Sequence, residues 1–577
     1  MARIREILIN NFRGIKALTW LPSPGLNCLI GPGDSGKSSI LDAVDFCLGA
    51  RRNIQFTDAD FHLLDVETPI TITVTIGELD DDLKNLDAYG MYLRSFDARS
   101  GKIEDEPEES AETVLTVKLT VASDLEPSWS LVSERAAAQG QTRNLNWGDR
   151  VRLAPTRIGV MADYHLGWGR GSVLNRVSEE RADASAALVK AARDARAAFG
   201  DQAKDQLAET LGIVETTARE LGIPVGENVK ALLDAHSASF SGGTISLHDE
   251  DGIPLRGLGV GSTRLLIAGL QRRAAAQATM ILIDELEHGL EPHRIIRLLG
   301  SLGAKEENPP LQVLMTTHSP VVLRELSGHQ LFVVRAAADK HEVRVVGTAD
   351  DIQGTIRRYP DAFLAASVIV CEGASEVGLL RGLDQYRTAN GHNSTTAEGA
   401  SLVDCGGGDA DNPFKRAAAF QALGYRSAIL RDNDIKPTQA VETAFIADGG
   451  KVVAWRDGRA LQDELFLSLT DDAVAKLIDR AVELHGEDLI NEHIKSASQN
   501  TQNLKDTQFD ALFDSVSPET REILGKAART KKTGWFKSVT SMEDVARDIV
   551  GPDLPLAEAG FRSLVDEIFA WVKNAGG

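Results

Sequence analysis

The chain has 577 residues, more than a single hydrophobic core supports, so about two to four domains are expected. Apolar residues at 43% and charged residues at 25% are ordinary for a globular chain, and no apolar run reaches the ~18 residues of a membrane helix. A formal charge of −22 excludes binding to nucleic acid by overall attraction, so any such contact must draw on local basic groups: Arg51 and Arg52, Arg272 and Arg273, or Arg529 to Lys532. The N-terminal stretch MARIREILINNF lacks the apolar core of a signal peptide. The cysteines Cys28, Cys47, Cys371 and Cys405 form no C-x-x-C pair. Buried thiols in a cytoplasmic protein fit better than a disulfide or zinc framework.

In chain order, NFRGI (Asn11 to Ile15) lies in a first hairpin. Leu26, Cys28, Leu29 and Ile30 read as a buried strand, and Ser39 to Leu48 as a helix with apolar residues at helical spacing. Between them GPGDSGKSS, Gly31 to Ser39, fits G-x-x-x-x-G-K-[ST]. Gly31, Gly33 and Gly36, with Asp34, Ser35 and Ser39, form a loop whose N–H groups curl around phosphates. Lys37 reaches the β- and γ-phosphates and the Ser38 hydroxyl holds Mg²⁺, which makes ATP and Mg²⁺ the expected ligands.

ITITVTI (Ile70 to Ile76) alternates as a strand, and the acidic stretch Asp80 to Glu112 predicts an exposed excursion. Ser178 to His236 is Ala-rich with period-four apolar positions, which predicts a helical insertion, either a natural dimer contact or a flap packed on its own head. ISLHDEDGIPL (Ile245 to Leu255) reads as a β-hairpin with a D-G turn. GLGVGSTRLL (Gly257 to Leu266) is a Gly-rich turn opening a helix. MILIDELEHGLEP (Met280 to Pro292) is an apolar strand ending in Asp284 and Glu285, a Walker B pattern. Asp284 stands behind the magnesium and Glu285 polarises the attacking water. TTHSP (Thr316 to Pro320) follows another apolar strand and puts His318 where a γ-phosphate-sensing histidine would lie. In this order and spacing the motifs resemble the ABC-type ATPase heads of the SMC and RecF class. The resemblance implies that the signature turn of one subunit, here Gly261 and Ser262, caps the nucleotide of another, so that the working unit is at least a dimer. Gly259 replaces the usual signature serine.

The second half carries SVIVCEGASEVGLLRGL (Ser367 to Leu383), a strand ending at Glu372 and then a helix carrying Glu376. RSAILRDNDI (Arg426 to Ile435) is a strand ending in Asp432-Asn433-Asp434, and VDCGGGDA (Val403 to Ala410) is a Gly-rich turn between them. A parallel sheet collects such groups at its C-terminal edge, and carboxylates gathered there need a divalent metal to offset their repulsion. The pattern resembles the Toprim domain of topoisomerases, primases and nucleases. Asp463-Glu464 follows the strand KVVAW; Glu464 is a candidate further ligand, or the pair is an acidic helix N-terminus.

An ATPase head followed by Toprim resembles the OLD (overcoming lysogenization defect) family of ATP-dependent nucleases, over nearly the whole chain. KKTGWFK (Lys531 to Lys537) resembles the basic motif of class 2 members, in which a lysine, by position Lys537, joins the metal carboxylates. Class and length most resemble the nuclease subunit of the Gabija anti-phage system, which works beside a UvrD-like helicase. The implied fold is α/β: an ABC-type P-loop ATPase head over 1–166 and 245–346, a helical dimerisation insertion over 167–244, and a Toprim domain with helical C-terminal elements over 347–577. The implied activity is DNA cleavage by a site of Glu372, Glu376, Asp432, Asp434, Glu464 and Lys537. It would use Mg²⁺, with Mn²⁺ or Ca²⁺ as alternatives, in a homodimer or a tetramer. The alternative is an ATP-dependent DNA-binding clamp or sensor whose Toprim fold is inactive. A topoisomerase is disfavoured because none of the six tyrosines sits in a recognisable DNA-gate module.

Overall fold

The computed structural model describes residues 2–50, 54–159, 162–166, 172–174, parts of 190–220, 231, 247–274, 279–337, 339–507, 515–530 and 533–573. Arg51, Arg52, Lys531, Lys532 and most of the insertion expected over 167–244 lie outside the described residues; the helix Ala208–Glu220 is described. Contacts divide the chain into two compact units. One comprises Met1–Leu29, Gly36–Glu325 and Ala336–Glu342; the other comprises Ile30–Ser35, Leu326–Arg335 and Val343–Gly577. Among the described residues no helix is long and apolar enough to cross a membrane.

The chain opens with β1 (Arg3–Phe12), β2 (Ile15–Trp20) and β3 (Leu26–Ile30), and all five residues of β3 are buried. Then come β4 (Ile70–Gly77), β5 (Leu93–Asp97), β6 (Lys102–Glu104), β7 (Glu112–Val121), β8 (Pro127–Leu131) and β9 (Thr156–Ile158). After the insertion follow β10 (Met280–Ile283) and β11 (Gln312–Thr316). These strands form an antiparallel run β6-β5-β7-β4-β1-β2, with β8 on β7, and a parallel run β3-β11-β10-β9. Register follows the alternation. Ile7 faces Val74 and Ile9 faces Ile72, and all four are buried. β3, β10 and β11 are buried at every residue, as strands covered on both faces must be.

One expectation is corrected here. Asp80 to Glu112 is not an exposed excursion: it supplies β5 and β6 to the sheet, because Leu83, Tyr89, Tyr92, Leu93 and Phe96 are buried among its acids. Within Ile245 to Leu255, the described part turns back as expected: His248 bridges Pro254 antiparallel, the Asp249 amide donates to the Ile253 carbonyl at 3.0 Å and the Leu255 amide to the Leu247 carbonyl at 2.9 Å. The Asp249 carboxylate also takes the amides of Asp251 and Ile253, which fixes the turn.

β12 (Leu331–Ala336) and β13 (His341–Val345) are neighbouring strands at the passage between the units. The second unit is built on a parallel sheet of β14 (Ser367–Cys371), β15 (Ala400–Asp404), β16 (Arg426–Arg431) and β17 (Lys451–Ala454), in the order β15-β14-β16-β17. Cys371 stands level with Asp404 and with Leu430, and Arg431 level with Ala454. Glu372, Asp404 and Asp432 therefore leave the sheet along one edge. C-terminal helices pack Leu465, Phe466, Leu524 and Ala528 into the same core, and a turn between helices adds Trp535 and Phe536.

Candidate active sites

The phosphate loop runs from β3 into the helix Lys37–Leu48. Gly31 has φ +135°, and a Cβ there would lie 2.7 Å from the Val334 carbonyl oxygen, so only glycine fits. Lys37 is 5% exposed. The Ser38 hydroxyl donates to Asp284 Oδ1 at 2.9 Å, which brings the expected magnesium ligand together with the acid expected behind it. Asp284 follows β10. Its Oδ1 also accepts from the Thr316 hydroxyl at 2.6 Å, and Thr316 Oγ1 accepts the Glu285 amide at 2.8 Å. One threonine at the end of β11 thus orients both acids of the Walker B turn. Glu285 is exposed at φ +47°. His318 is exposed, and its amide donates to Glu287 Oε1 at 2.7 Å.

The signature helix Val260–Arg273 packs on this turn. Gly261 is buried, and a Cβ there would meet the Gly289 carbonyl oxygen at 2.2 Å. Its glycine therefore serves a close approach within its own chain, and the Ser262 hydroxyl accepts from Arg294 at 3.0 Å. Arg264, 1% exposed, donates to the carbonyls of Glu285 at 2.7 Å and Asp284 at 2.8 Å. Burial lowers its pKa, and Glu287, Asp284 and Glu285 oppose that. Thr316 lies in TTHSP and Arg264 in GLGVGSTRLL, but spacing gives neither a role and only their contacts reveal one.

The acidic site lies at the C-terminal edge of the second sheet. Glu372, Glu376, Asp404, Asp432, Asp434 and Lys537 line one cleft of about 390 Å³, together with Arg529 and the glycines Gly406 and Gly407. Asp432 Oδ1 accepts the Leu461 amide at 2.8 Å, Glu372 Oε2 accepts the Asp432 amide at 3.0 Å, and Glu376 Oε2 accepts the Gly373 amide at 3.0 Å. Asn433 pins the D-N-D turn through the Trp455 carbonyl at 2.7 Å, which leaves the flanking aspartates to the cleft. Lys537 follows the buried Trp535 and Phe536, and its Nζ donates to the Thr530 carbonyl at 2.9 Å.

Burial, and then repulsion from Glu372, pushes the Asp432 carboxyl up to about 7. Burial and repulsion from Asp432 raise Glu376 well above the carboxylate range, and burial raises Glu372. Acids held this way lack positive charge, and a divalent cation would supply it. Among the described residues no three His, Cys, Asp or Glu side chains are placed, as they stand, to hold a metal ion. The fit is therefore one of donor chemistry, with hard carboxylate oxygens suited to Mg²⁺, Mn²⁺ or Ca²⁺.

Glu464 does not belong to this cleft, which corrects its assignment as a ligand. It is 0% exposed and bound to Arg456 at 2.5 Å and Arg459 at 3.2 Å. Burial pushes its pKa up, but these partners more than offset that and hold it below its ordinary value. Its neighbour Asp463 faces the acids instead. It caps its own helix through the Ala460 amide at 3.0 Å and pairs with Arg529 at 3.2 Å. Arg529, expected as a nucleic-acid contact, also bonds Asp434 at 2.9 Å.

A family model described as "AAA domain, putative AbiEii toxin, Type IV TA system" matches residues 26–324, just over half of the chain. A second, described as "Overcoming lysogenization defect protein-like, TOPRIM domain", matches residues 363–434. The DNA replication and repair protein RecF of Prosthecochloris aestuarii is 47% identical over 45 residues, 8% of this chain and 12% of that protein. RecF of Moorella thermoacetica is 40% identical over 48 residues, 8% and 13% of the two chains. The chain thus matches only about an eighth of the length of these relatives. The SMC head bound to the C-winged helix domain of ScpA shares 13% identity over 59% of this chain and 97% of that one, with a TM-score of 0.31. The SMC head domain from Thermotoga maritima shares 13% over 60% and 100%, with a TM-score of 0.28. The fold assignment rests on the strand order and the two family models.

Proposed function

We propose that this chain, which belongs to that AAA domain family and carries an OLD-like Toprim domain behind it, is a metal-dependent DNA endonuclease governed by ATP. The pairing of the two domains supports an ATP-dependent nuclease of the OLD class. What carries the reading is the convergence of Glu372, Glu376, Asp432 and Asp434 with Lys537 in one cleft, where burial and mutual repulsion leave the acids short of positive charge.

These four carboxylates would hold the ion, with Asp463 in place of Glu464. A divalent ion bound there would polarise the scissile phosphate and lower the pKa of an attacking water. Lys537 would offset negative charge developing in the transition state. At the other site Lys37 would hold the β- and γ-phosphates, and Ser38 and Asp284 the magnesium. Glu285 would take a proton from the water that attacks the γ-phosphorus, and His318 would sense that phosphate. Gly261 and Ser262, at the start of the signature helix, would complete the nucleotide site of a second copy. The anti-phage role, the tetramer and a UvrD-like helicase partner rest on the Gabija resemblance alone.

The test is supercoiled plasmid incubated with purified protein and Mg²⁺ or Mn²⁺. Nicked or linear product is expected, and Asp432→Ala or Glu372→Ala should abolish it without unfolding the protein. Cleavage by either variant at the wild-type rate would refute the assignment. A mobility shift with no cleavage would make the protein an ATP-dependent clamp.

A further inference from the structure

The acids in and beside the Toprim cleft, Asp404 apart, fall into two sets. Among the described residues Glu372, Glu376 and Asp432 make no ion pair, and their hydrogen bonds above come from backbone amides. The outer pair is different. Asp434 and Asp463 share one nitrogen, Nη1 of Arg529, at 2.9 Å and 3.2 Å. Asp463 is the fixed member, 7% exposed and tied to the Ala460 amide. The helix Pro518–Ala528 is held against it, since a Cβ on Gly525 would lie 2.8 Å from Asp463 Oδ1. The Arg529 side chain follows that helix and is 32% exposed, so it can turn toward solvent without moving the backbone.

We propose that Arg529 is a displaceable internal counter-ion: it neutralises Asp434 and Asp463 while no divalent ion is bound there, and passes to a DNA phosphate when one arrives. This rests on the metal-dependent nuclease reading. The charges decide the direction of exchange. Arg529 cannot leave two carboxylates in a half-buried cleft unless another cation replaces it. A divalent ion does so, and the freed guanidinium then matches a phosphate, which it binds through two parallel N–H bonds. Neither half of the exchange is favourable alone. The ion must compete with Arg529, and the phosphate must take Arg529 from its carboxylates. Ion and DNA therefore strengthen each other's binding, and by linkage they do so equally.

The experiment counts bound Mn²⁺ by the electron paramagnetic resonance of the free ion, which needs no turnover. Wild type, Arg529→Gln and Asp432→Asn are titrated with and without a short duplex whose backbone is phosphorothioate. In wild type, the duplex should tighten Mn²⁺ binding about tenfold. Arg529→Gln should bind Mn²⁺ about tenfold more tightly without DNA and gain little from the duplex. Arg529→Lys keeps the charge but lacks the planar fork; it should show the same change to a smaller degree, and it replaces the glutamine variant if that does not fold. If wild type and the Arg529 variants bind Mn²⁺ alike, with and without DNA, while Asp432→Asn loses an ion, the nuclease reading stands and the counter-ion role is overturned. If none of the proteins binds Mn²⁺, both readings fall together.

Discussion

Replacing Arg264 should separate ATP binding from ATP hydrolysis. The side chain is 1% exposed, and its guanidinium holds four carbonyl oxygens of the Walker B turn: Glu285 at 2.7 Å, Asp284 at 2.8 Å, His288 at 3.2 Å and Leu286 at 3.4 Å. Glu285 sits at φ +47°, a left-handed conformation that costs a non-glycine residue about 1–2 kcal/mol. Each of the two short bonds from a charged donor contributes about 1.5–3 kcal/mol, enough together to hold that strain. Arg264→Gln keeps at most part of one bond, so the turn can relax and carry the Glu285 carboxylate away from the water it must polarise. A loss of about 3 kcal/mol in positioning corresponds to roughly 100-fold in kcat. Arg264 touches the Walker B turn and not Gly31 to Ser38, so nucleotide affinity should change less than about threefold, well under 1 kcal/mol. Arg264→Lys, which retains the charge, should lose about tenfold in kcat, near 1.4 kcal/mol. Steady-state phosphate release, with nucleotide binding measured separately, reads both quantities. A folded Arg264→Gln protein with wild-type kcat would refute the reasoning. Parallel losses of affinity and kcat would show that Arg264 holds the whole domain and not the turn.

Other outcomes follow from the two sites. Lys37→Ala should sharply reduce ATP binding and hydrolysis, whereas Glu285→Gln should retain ATP and turn it over slowly; equal affinity and turnover in wild type and Lys37→Ala would sink the phosphate-loop reading. Without divalent metal, the raised carboxyls make the folded state bind more protons than the unfolded one between the ordinary Asp432 value of 3.8 and about 7, so stability should fall as pH rises through that window. Melting in EDTA between pH 5 and pH 8 checks this: the drop should shrink in Asp432→Asn, and a melting temperature that rises with pH would contradict it. Glu464→Gln should lower the melting temperature, by about 2 kcal/mol of stability after discount for the partly exposed arginines, and leave Mn²⁺ binding intact. Light scattering with a non-hydrolysable ATP analogue should show at least a dimer; a monomer with full ATPase activity would defeat the proposed capping by Gly261 and Ser262.

Strands with a single buried partner pattern were readable from residues alone. β3, β10, β14 and β16 have apolar centres and end at Gly31, Asp284, Glu372 and Asp432, so that pattern and punctuation agree there. β5 and β6 were hidden because the acids of Asp80 to Glu112 outnumber the few aromatic and leucine side chains that bury them. Composition averages over a segment, whereas a sheet edge needs only every second residue. The stretch around His248 was legible because its signal is local. Its D-G turn is closed by the Asp249 carboxylate and by the backbone bonds of Asp249 to Ile253 and Leu255 to Leu247.

The choice between Asp463 and Glu464 shows where a one-dimensional reading stops. Both acids fall in the first turn of the helix Leu461–Ser468, and neighbouring residues on a helix point about 100° apart. Only one of them can face the cleft, and the sequence around them does not set the helix's rotation. That rotation comes from remote residues. Leu461, Leu465 and Phe466 enter the core, and Asp432 anchors the helix start by accepting the Leu461 amide. Arg456, just after β17, then meets Glu464 on the other side. The same acid that would hold a metal therefore also fixes the phase of the helix that brings Asp463 toward it. Loss of that acceptor should disturb the outer pair as well as the inner acids, and a metal-binding defect larger in Asp432→Ala than in Asp432→Asn, whose amide oxygen still accepts the Leu461 amide, is the measurable consequence.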